Sequence, residues 1–240
     1  MRINRFLKFS VATALLLFAT LFATAQNSKK VLVIGAHPDD PESGCGGTIA
    51  TLKDRGYEVV CVYLTRGERG IEGKTLKEAA AIRTAEAEEA AKILGVRHIF
   101  LTQIDGATEI NPQRYDEMFN LINEEKPDIV FTHWPINGHR DHRICSLLTY
   151  DSWRRSGYAF DLYYFEVMTG TQTQNFHPTV YVDISAVREI KHKACYAHKS
   201  QFIEQEEDVM KQWHSPMEIF RGLESQTPFA EAFVKQIRPQ

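Results

Sequence analysis

Apolar residues in this chain fall into short unbroken runs separated by longer amphipathic stretches. Val31-Leu32-Val33-Ile34-Gly35 is the first run, as expected for a strand covered on both faces of a parallel sheet. Gly46-Gly47 then reads as the opening of a helix through Thr48 to Arg55, with Gly56 as its stop. Glu58 to Thr65 is a second strand, and Arg66 to Lys74, rich in glycine and charge, is a loop. Thr75 begins a long helix rich in Ala and Glu that ends at Leu94, with Gly95 as a left-handed cap. The pattern continues with a strand from His98 to Leu101, a helix from Pro112 to Glu125, a strand from Asp128 to His133 and a helix from His139 to Trp153. Strict alternation of this kind predicts an α/β fold: a single doubly wound, mostly parallel, Rossmann-like sheet with helices on both faces. Beyond residue 160 the pattern loosens. Leu162 to Val167 and Thr179 to Ile184 read as strands and Ala186 to Phe202 as a helix, with no linker before them, so this tail is expected to pack onto the same domain.

Composition narrows the class. The chain has 240 residues, 43% apolar and 25% charged, with a formal charge of −3. A disordered tail, a fibre and a polytopic membrane protein are excluded, and no basic surplus points to nucleic acid as a partner. Residues 1–25 stand apart. Arg2, Arg5 and Lys8 precede an apolar run from Val11 to Ala23, and Ala23-Thr24-Ala25 has the small-x-small form of a signal-peptidase site. This predicts an exported (periplasmic or secreted) protein with a mature domain over residues 26–240 and no stable membrane span after cleavage, since a span needs about 20 apolar residues. Cleavage would remove three of the 28 basic residues and none of the 31 acidic ones, taking the net charge from −3 to −6. Export permits disulfides, and four Cys is an even number. Cys61 lies in an apolar strand, Cys145 on a helix, Cys45 in a glycine-rich turn and Cys195 far along the chain, so they read as mostly free, buried thiols.

Open parallel sheets bind ligands at the carboxyl ends of their strands, and two such ends carry dense polar clusters. The first strand runs into Ala36-His37-Pro38-Asp39-Asp40, and the fourth into His133-Trp134-Pro135 and then His139-Arg140-Asp141-His142. Their residue types suit a divalent metal. His37, Asp40 and His142 would give two imidazoles and one carboxylate, the number a catalytic zinc takes while keeping a fourth position open. Asp39 remains as a free base, and His139, three residues before His142 at a helix start, can face the same site. Asp141 can accept from an imidazole and fix its tautomer. Plainer roles stand beside each of these. Asp40 could cap a turn or helix start, His133 reads better as a buried strand end with a satisfied imidazole, and Asp141 could be a first-turn helix acid. Gly44-Cys45-Gly46-Gly47 lacks the glycine order and the lysine of a nucleotide loop.

Ala-His-Pro-Asp-Asp, then Gly-Cys-Gly-Gly-Thr, and later His-Arg-Asp-His together resemble the LmbE-like/PIG-L family of zinc-dependent N-acetylglucosaminyl deacetylases. Leu64-Thr65-Arg66-Gly67-Glu68, Ile82-Arg83-Thr84-Ala85-Glu86 and His198-Lys199-Ser200-Gln201-Phe202 extend the likeness over about residues 30–205. The resemblance implies His37, Asp40 and His142 as ligands of Zn2+ (or Fe2+), Asp39 as general base, His139 as the imidazole that stabilises the oxyanion, and Asp141 as the carboxylate that orients a histidine. It places Arg83 along the pocket and His198 where some relatives carry a pocket side chain. Pro41 and Arg140 depart from the Glu and Pro that many members have, and both border the substrate pocket. Relatives often assemble as homo-oligomers.

The chemistry expected is hydrolysis of an N-acetyl group on a small-molecule N-acetylglucosamine-type glycan or conjugate. Asp39 would take the proton of a metal-activated water, and a protonated His139 would face the developing oxyanion. Arg66, Arg69 and Arg83 could hold an anionic part of the substrate; Arg66 and Arg69 could equally be solvated loop charges. Trp134 and the aromatics of Tyr150 to Tyr164 could stack on a sugar or belong to the core and rim. Two rivals remain: a metallohydrolase of another amide or a phosphoester, and a carbohydrate-binding protein that holds metal without catalysis.

Overall fold

The computed structural model describes residues 28–201 and 214–239. The leader expected over residues 1–25, and Phe202, lie outside them. Among the described residues, seven strands form one sheet: β1 (Lys30–Gly35), β2 (Glu58–Tyr63), β3 (Arg97–Phe100), β4 (Ile129–His133), β5 (Asp161–Phe165), β6 (Val180–Asp183) and β7 (Ala230–Lys235). Six α-helices accompany them: α1 (Asp40–Asp54), α2 (Leu76–Leu94), α3 (Pro112–Glu125), α4 (Arg140–Arg155), α5 (Arg188–Tyr196) and α6 (Ser215–Ser225). None of these is long and apolar enough to cross a membrane.

The spatial order is β3-β2-β1-β4-β5-β7-β6, with β1 to β5 parallel and β7 antiparallel to both β5 and β6. This is the doubly wound α/β fold that the alternation predicts. Side-chain alternation divides the core between the two faces. Val31 and Val33 pack with Ile49 of α1, Ala87 and Ala90 of α2 and Ala194 of α5. Leu32 and Ile34 pack with Met118 of α3 and with Leu148 and Trp153 of α4. The four β1 side chains are at most 1% exposed, so an unbroken apolar run is what this position demands.

Several expected boundaries shift. α1 begins at Asp40 rather than Thr48, so Gly44, Gly46 and Gly47 lie inside it. Their low helix propensity is overridden by packing. A Cβ on Gly44 would overlap the Phe165 ring, and one on Gly47 would come within 2.5 Å of Ile184 Cγ2. Pro41 sits in the first turn, where its missing N–H costs no helix bond. The helix expected over Ala186–Phe202 is shorter, ending at Tyr196, with a 3-10 turn at Lys199–Gln201. α6 and β7 are not legible in the periodicity, and β7 inserts between β5 and β6. All four cysteines are free and buried, as their placement implies.

Candidate active site

The order of strands reverses between β1 and β4, and that is where the crevice of a doubly wound sheet opens. Parallel pairing of Ile34 with Thr132 sets the two carboxyl ends side by side, so His37 and His133 emerge at one rim. α1 starts at Asp40 and α4 at Arg140, which carries Asp39, Asp40, His139, Asp141 and His142 to the same place. The His37 and His142 rings lie 5.3 Å apart, His37 and His139 4.7 Å, and His139 and His142 4.6 Å.

Asp40 closes a turn and also reaches three imidazoles. Its Oδ2 accepts the His37 N–H at 2.7 Å, closing the turn, and lies 3.3 Å from His37 Nδ1 and 3.1 Å from His133 Nε2, while Oδ1 lies 3.3 Å from His142 Nε2. Burial alone would raise its pKa, but His142 and His133 hold it well below the usual carboxylate range. His133 is buried as expected, yet it joins the cluster: its ring stacks on His142 at 3.9 Å, and the buried Nδ1 atoms of both rings have no partner. On its other side, His37 Nε2 lies 3.3 Å from Asp141 Oδ2 and 3.2 Å from Asp105 Oδ1. Asp141 also accepts from Gly106 N–H at 2.7 Å and from the Thr108 hydroxyl at 2.6 Å. Burial works against protonation of His37, but Asp105, Asp141 and Asp40 raise its pKa well above the ordinary imidazole value. Asp105 was not singled out by the sequence; the only signal was an Asp-Gly pair shortly after a strand end.

Asp39 caps α1 with φ of 104°, a conformation that costs a non-glycine residue about 1–3 kcal/mol. Arg83 holds it there. The Arg83 guanidinium donates through Nη2 to Asp39 Oδ2 at 2.9 Å and to the Pro38 carbonyl. Loss of solvent raises the Asp39 pKa, with Arg83 opposing. Arg83 is 3% exposed and wedged beside Gly67 and Gly70, with its charge against Asp39. Arg66 is likewise engaged: it donates to Thr84 Oγ1 at 3.0 Å and lies over the Phe100 ring at 4.3 Å. His198 is fully buried, 3.5 Å from Glu42, which also accepts from the Tyr63 hydroxyl at 2.6 Å. Of the three residues expected to touch substrate, Arg83 is thus paired with Asp39, Arg66 with Thr84 and Phe100, and His198 lies beside Glu42. Trp134 is fixed against Tyr164 and Phe176 and donates to the Gln174 carbonyl.

His139 stands at the N-cap of α4. Its Nδ1 accepts the Asp141 backbone N–H at 3.3 Å, capping α4. Burial and then His37 lower its pKa. An Nδ1 that accepts this N–H leaves Nε2 as the ring's donor.

Three buried carboxylates, Asp40, Asp105 and Asp141, stand among the imidazoles of His37, His133, His139 and His142. His37, His139 and His142, and separately Asp40, His133 and His142, bring candidate donor atoms within 4.8 Å of one another. Nitrogen and carboxylate donors in this mixture fit a divalent transition metal. A ligand role for His37 through Nδ1 would leave Nε2–H on Asp141 and Asp105, the support that metal-binding imidazoles normally have.

Comparison with known proteins places this geometry. Residues 32–153 match the family described as GlcNAc-PI de-N-acetylase (PIG-L). The diacetylchitobiose deacetylase of Thermococcus kodakarensis is 36% identical over 200 residues, covering 77% of this chain and 73% of that one. The chain belongs to the PIG-L family. Among solved structures, the N,N'-diacetylchitobiose deacetylase of Pyrococcus horikoshii superposes with a TM-score of 0.76 at 29% identity, covering 98% of this chain and 94% of that one. GalB, a 4-carboxy-2-hydroxymuconate hydratase from Pseudomonas putida, gives the same TM-score at 21% identity over 88% of this chain and 98% of that one. That likeness shows the PIG-L fold alone and says nothing of the bond attacked.

Proposed function

We propose that this PIG-L chain is a metal-dependent hydrolase that removes the acetyl group from an N-acetylglucosamine-type sugar or conjugate, releasing acetate and the free amine. The observation that carries the reading is the convergence of His37, Asp40 and His142 with two further groups, Asp39 and His139, beside them. A site meant only to hold a metal has no use for the second pair. His37, Asp40 and His142 would hold the ion, zinc or ferrous iron. When bound, it supplies Lewis acidity toward the amide carbonyl and toward water.

The chain's own residues do the rest. Asp39, its pKa raised by burial and its carboxylate aimed by Arg83, takes the proton of the attacking water. His139 offers Nε2–H to the oxyanion as it forms, a donor worth about 3–4 kcal/mol in such sites. Asp39 then returns the proton to the leaving nitrogen, which completes the balance of water added and amine released. Asp141 fixes the His37 ring from the side away from Asp40. The T. kodakarensis and P. horikoshii relatives bear the name of diacetylchitobiose, so a short N-acetylglucosamine oligomer is the first substrate to try.

The test is acetate and free-amine release from diacetylchitobiose and other N-acetylglucosamine conjugates, run beside phosphate release from phosphoesters, with elemental analysis of the protein. Acetate release that disappears in Asp39→Asn, with metal retained, is the result expected. Phosphate release alone, or bound metal with neither product, would overturn the reading in favour of a phosphoesterase or a carbohydrate-binding protein. Export belongs to the same proposal, and secreted protein whose N-terminus is Gln26 would be its outcome.

A further inference from the structure

The loop that delivers His139 is fastened to the loop after β5 by a short ladder. Gly138 N–H donates to the Gln172 carbonyl at 2.8 Å, Gln174 N–H to Ile136 O at 3.1 Å, and Trp134 Nε1–H to Gln174 O at 2.9 Å. In the middle stands Asn137, 5% exposed. Its Oδ1 accepts the His139 backbone N–H at 2.8 Å, and its Nδ2 donates to Thr173 Oγ1 at 3.2 Å. Thr173, 1% exposed, is itself locked: its hydroxyl donates to Val167 O at 2.7 Å and accepts Val167 N–H at 3.0 Å. Arg143 closes the loop from the helix side, donating through Nη1 to Asn137 O at 2.6 Å and Gly138 O at 3.0 Å.

We propose that Asn137, anchored by Thr173, is a positioning residue that sets where the His139 imidazole stands over the cluster. The inference rests on the deacetylase reading and adds a residue pair that the catalytic assignment does not contain. His139 caps α4 and so stands outside its first turn; of the two N–H groups just before the helix, that of Gly138 goes to Gln172 and that of His139 itself goes to Asn137. Asn137 holds that N–H and refers it, through Thr173, to the backbone of Val167, two residues past the end of β5. A displacement of about 1 Å at a catalytic group costs on the order of a hundredfold in rate, so a rigid tie between the two loops is worth having.

The experiment is a double-mutant cycle on steady-state acetate release. Asn137→Ala is expected to lower kcat ten- to a hundredfold with KM within twofold and metal content unchanged. In the His139→Ala background the same substitution should cost less than twofold, because it acts through the imidazole already removed. Losses that multiply in the double variant would overturn the proposal. Thr173→Val should follow Asn137→Ala with a smaller loss, and Thr173→Ser should restore the parent value. This pair carries the cycle if Asn137→Ala does not fold. If the parent protein releases no acetate, the functional reading fails, and the placement is read instead from the His139 Cε1–H resonance, identified by its disappearance in His139→Ala. That resonance should move in Thr173→Val and return in Thr173→Ser; an unmoved resonance overturns the placement.

Discussion

At the scale of single residues, the proposed mechanism separates groups that touch the reaction from groups that aim them. Asp39 is held in a left-handed backbone conformation with its carboxylate on Arg83. Asp39→Asn keeps the shape and removes the proton acceptor, and turnover should fall about 10²–10⁴-fold with metal content unchanged; metal loss would count against the assignment. Arg83→Met should also lower kcat, through a wandering Asp39, with little change in KM. Arg83→Lys should recover only part, since an ammonium cannot serve the Pro38 carbonyl and Asp39 with the guanidinium's planar fork. A large rise in KM with kcat intact would return Arg83 to the substrate-binding role implied by its resemblance to relatives. Most of this site was legible as two short motifs at strand ends. Asp105 was not, because a lone loop aspartate has no periodicity and its value comes only from standing 3.2 Å from His37.

At the scale of elements, α1 shows local preference yielding to packing. Three glycines would normally mark its edge, yet the helix runs through them because the sheet, the following loop and α5 come too close for side chains. Gly44→Ala should gain about 1 kcal/mol of helix propensity and still destabilise the protein by a net of about 1–3 kcal/mol. The Phe165 ring it would strike is fully buried and 4.6 Å from His133, with nowhere to move. Urea unfolding would measure this, and a neutral result would mean the ring gives way. Glu231 adds a second constraint on the same helix, its carboxylate accepting the Gly47 and Thr48 N–H groups at 2.9 and 2.7 Å. No sequence pattern announces that a residue in β7 will meet amides in α1.

At the scale of the molecule, the C-terminal elements are joined by buried charge. Lys191 of α5 lies 2.8 Å from Glu231 and 3.3 Å from Glu218, which also takes Arg188 and His192, while Arg221 of α6 pairs with Glu166. Burial would raise the Glu218 pKa, yet Lys191 and His192 hold it well below the ordinary range. Its contribution is therefore complete above the unfolded value near 4.5 and is lost as pH falls below it. His214 adds to this, its pKa pushed down to about 3 by burial. The unfolded chain protonates it more readily below about 6.5, so stability declines from there downward. Urea midpoints should accordingly fall between pH 6.5 and 4, and Glu218→Gln should cost about 3 kcal/mol at pH 7 by leaving buried cations short of a partner. A flat profile would contradict the cluster's role. Reductant should leave the melting temperature unchanged, because the four thiols are free, whereas a chelator should lower it if the site holds metal.

The sequence by itself determined the alternating elements of the first 155 residues, hence the doubly wound sheet, and the identity of the side chains that meet at its rim. It could do so because burial on both faces of a parallel strand leaves a local apolar signature, and because each half of the site is a contiguous motif beside a strand end. Only the tertiary structure decided which nitrogen and oxygen atoms face one another, that Arg83 meets Asp39 and His198 meets Glu42, and that β7 lies between β5 and β6. Those facts depend on distances between residues far apart in the chain, and the chain encodes them through close packing and buried charge rather than through any periodic pattern.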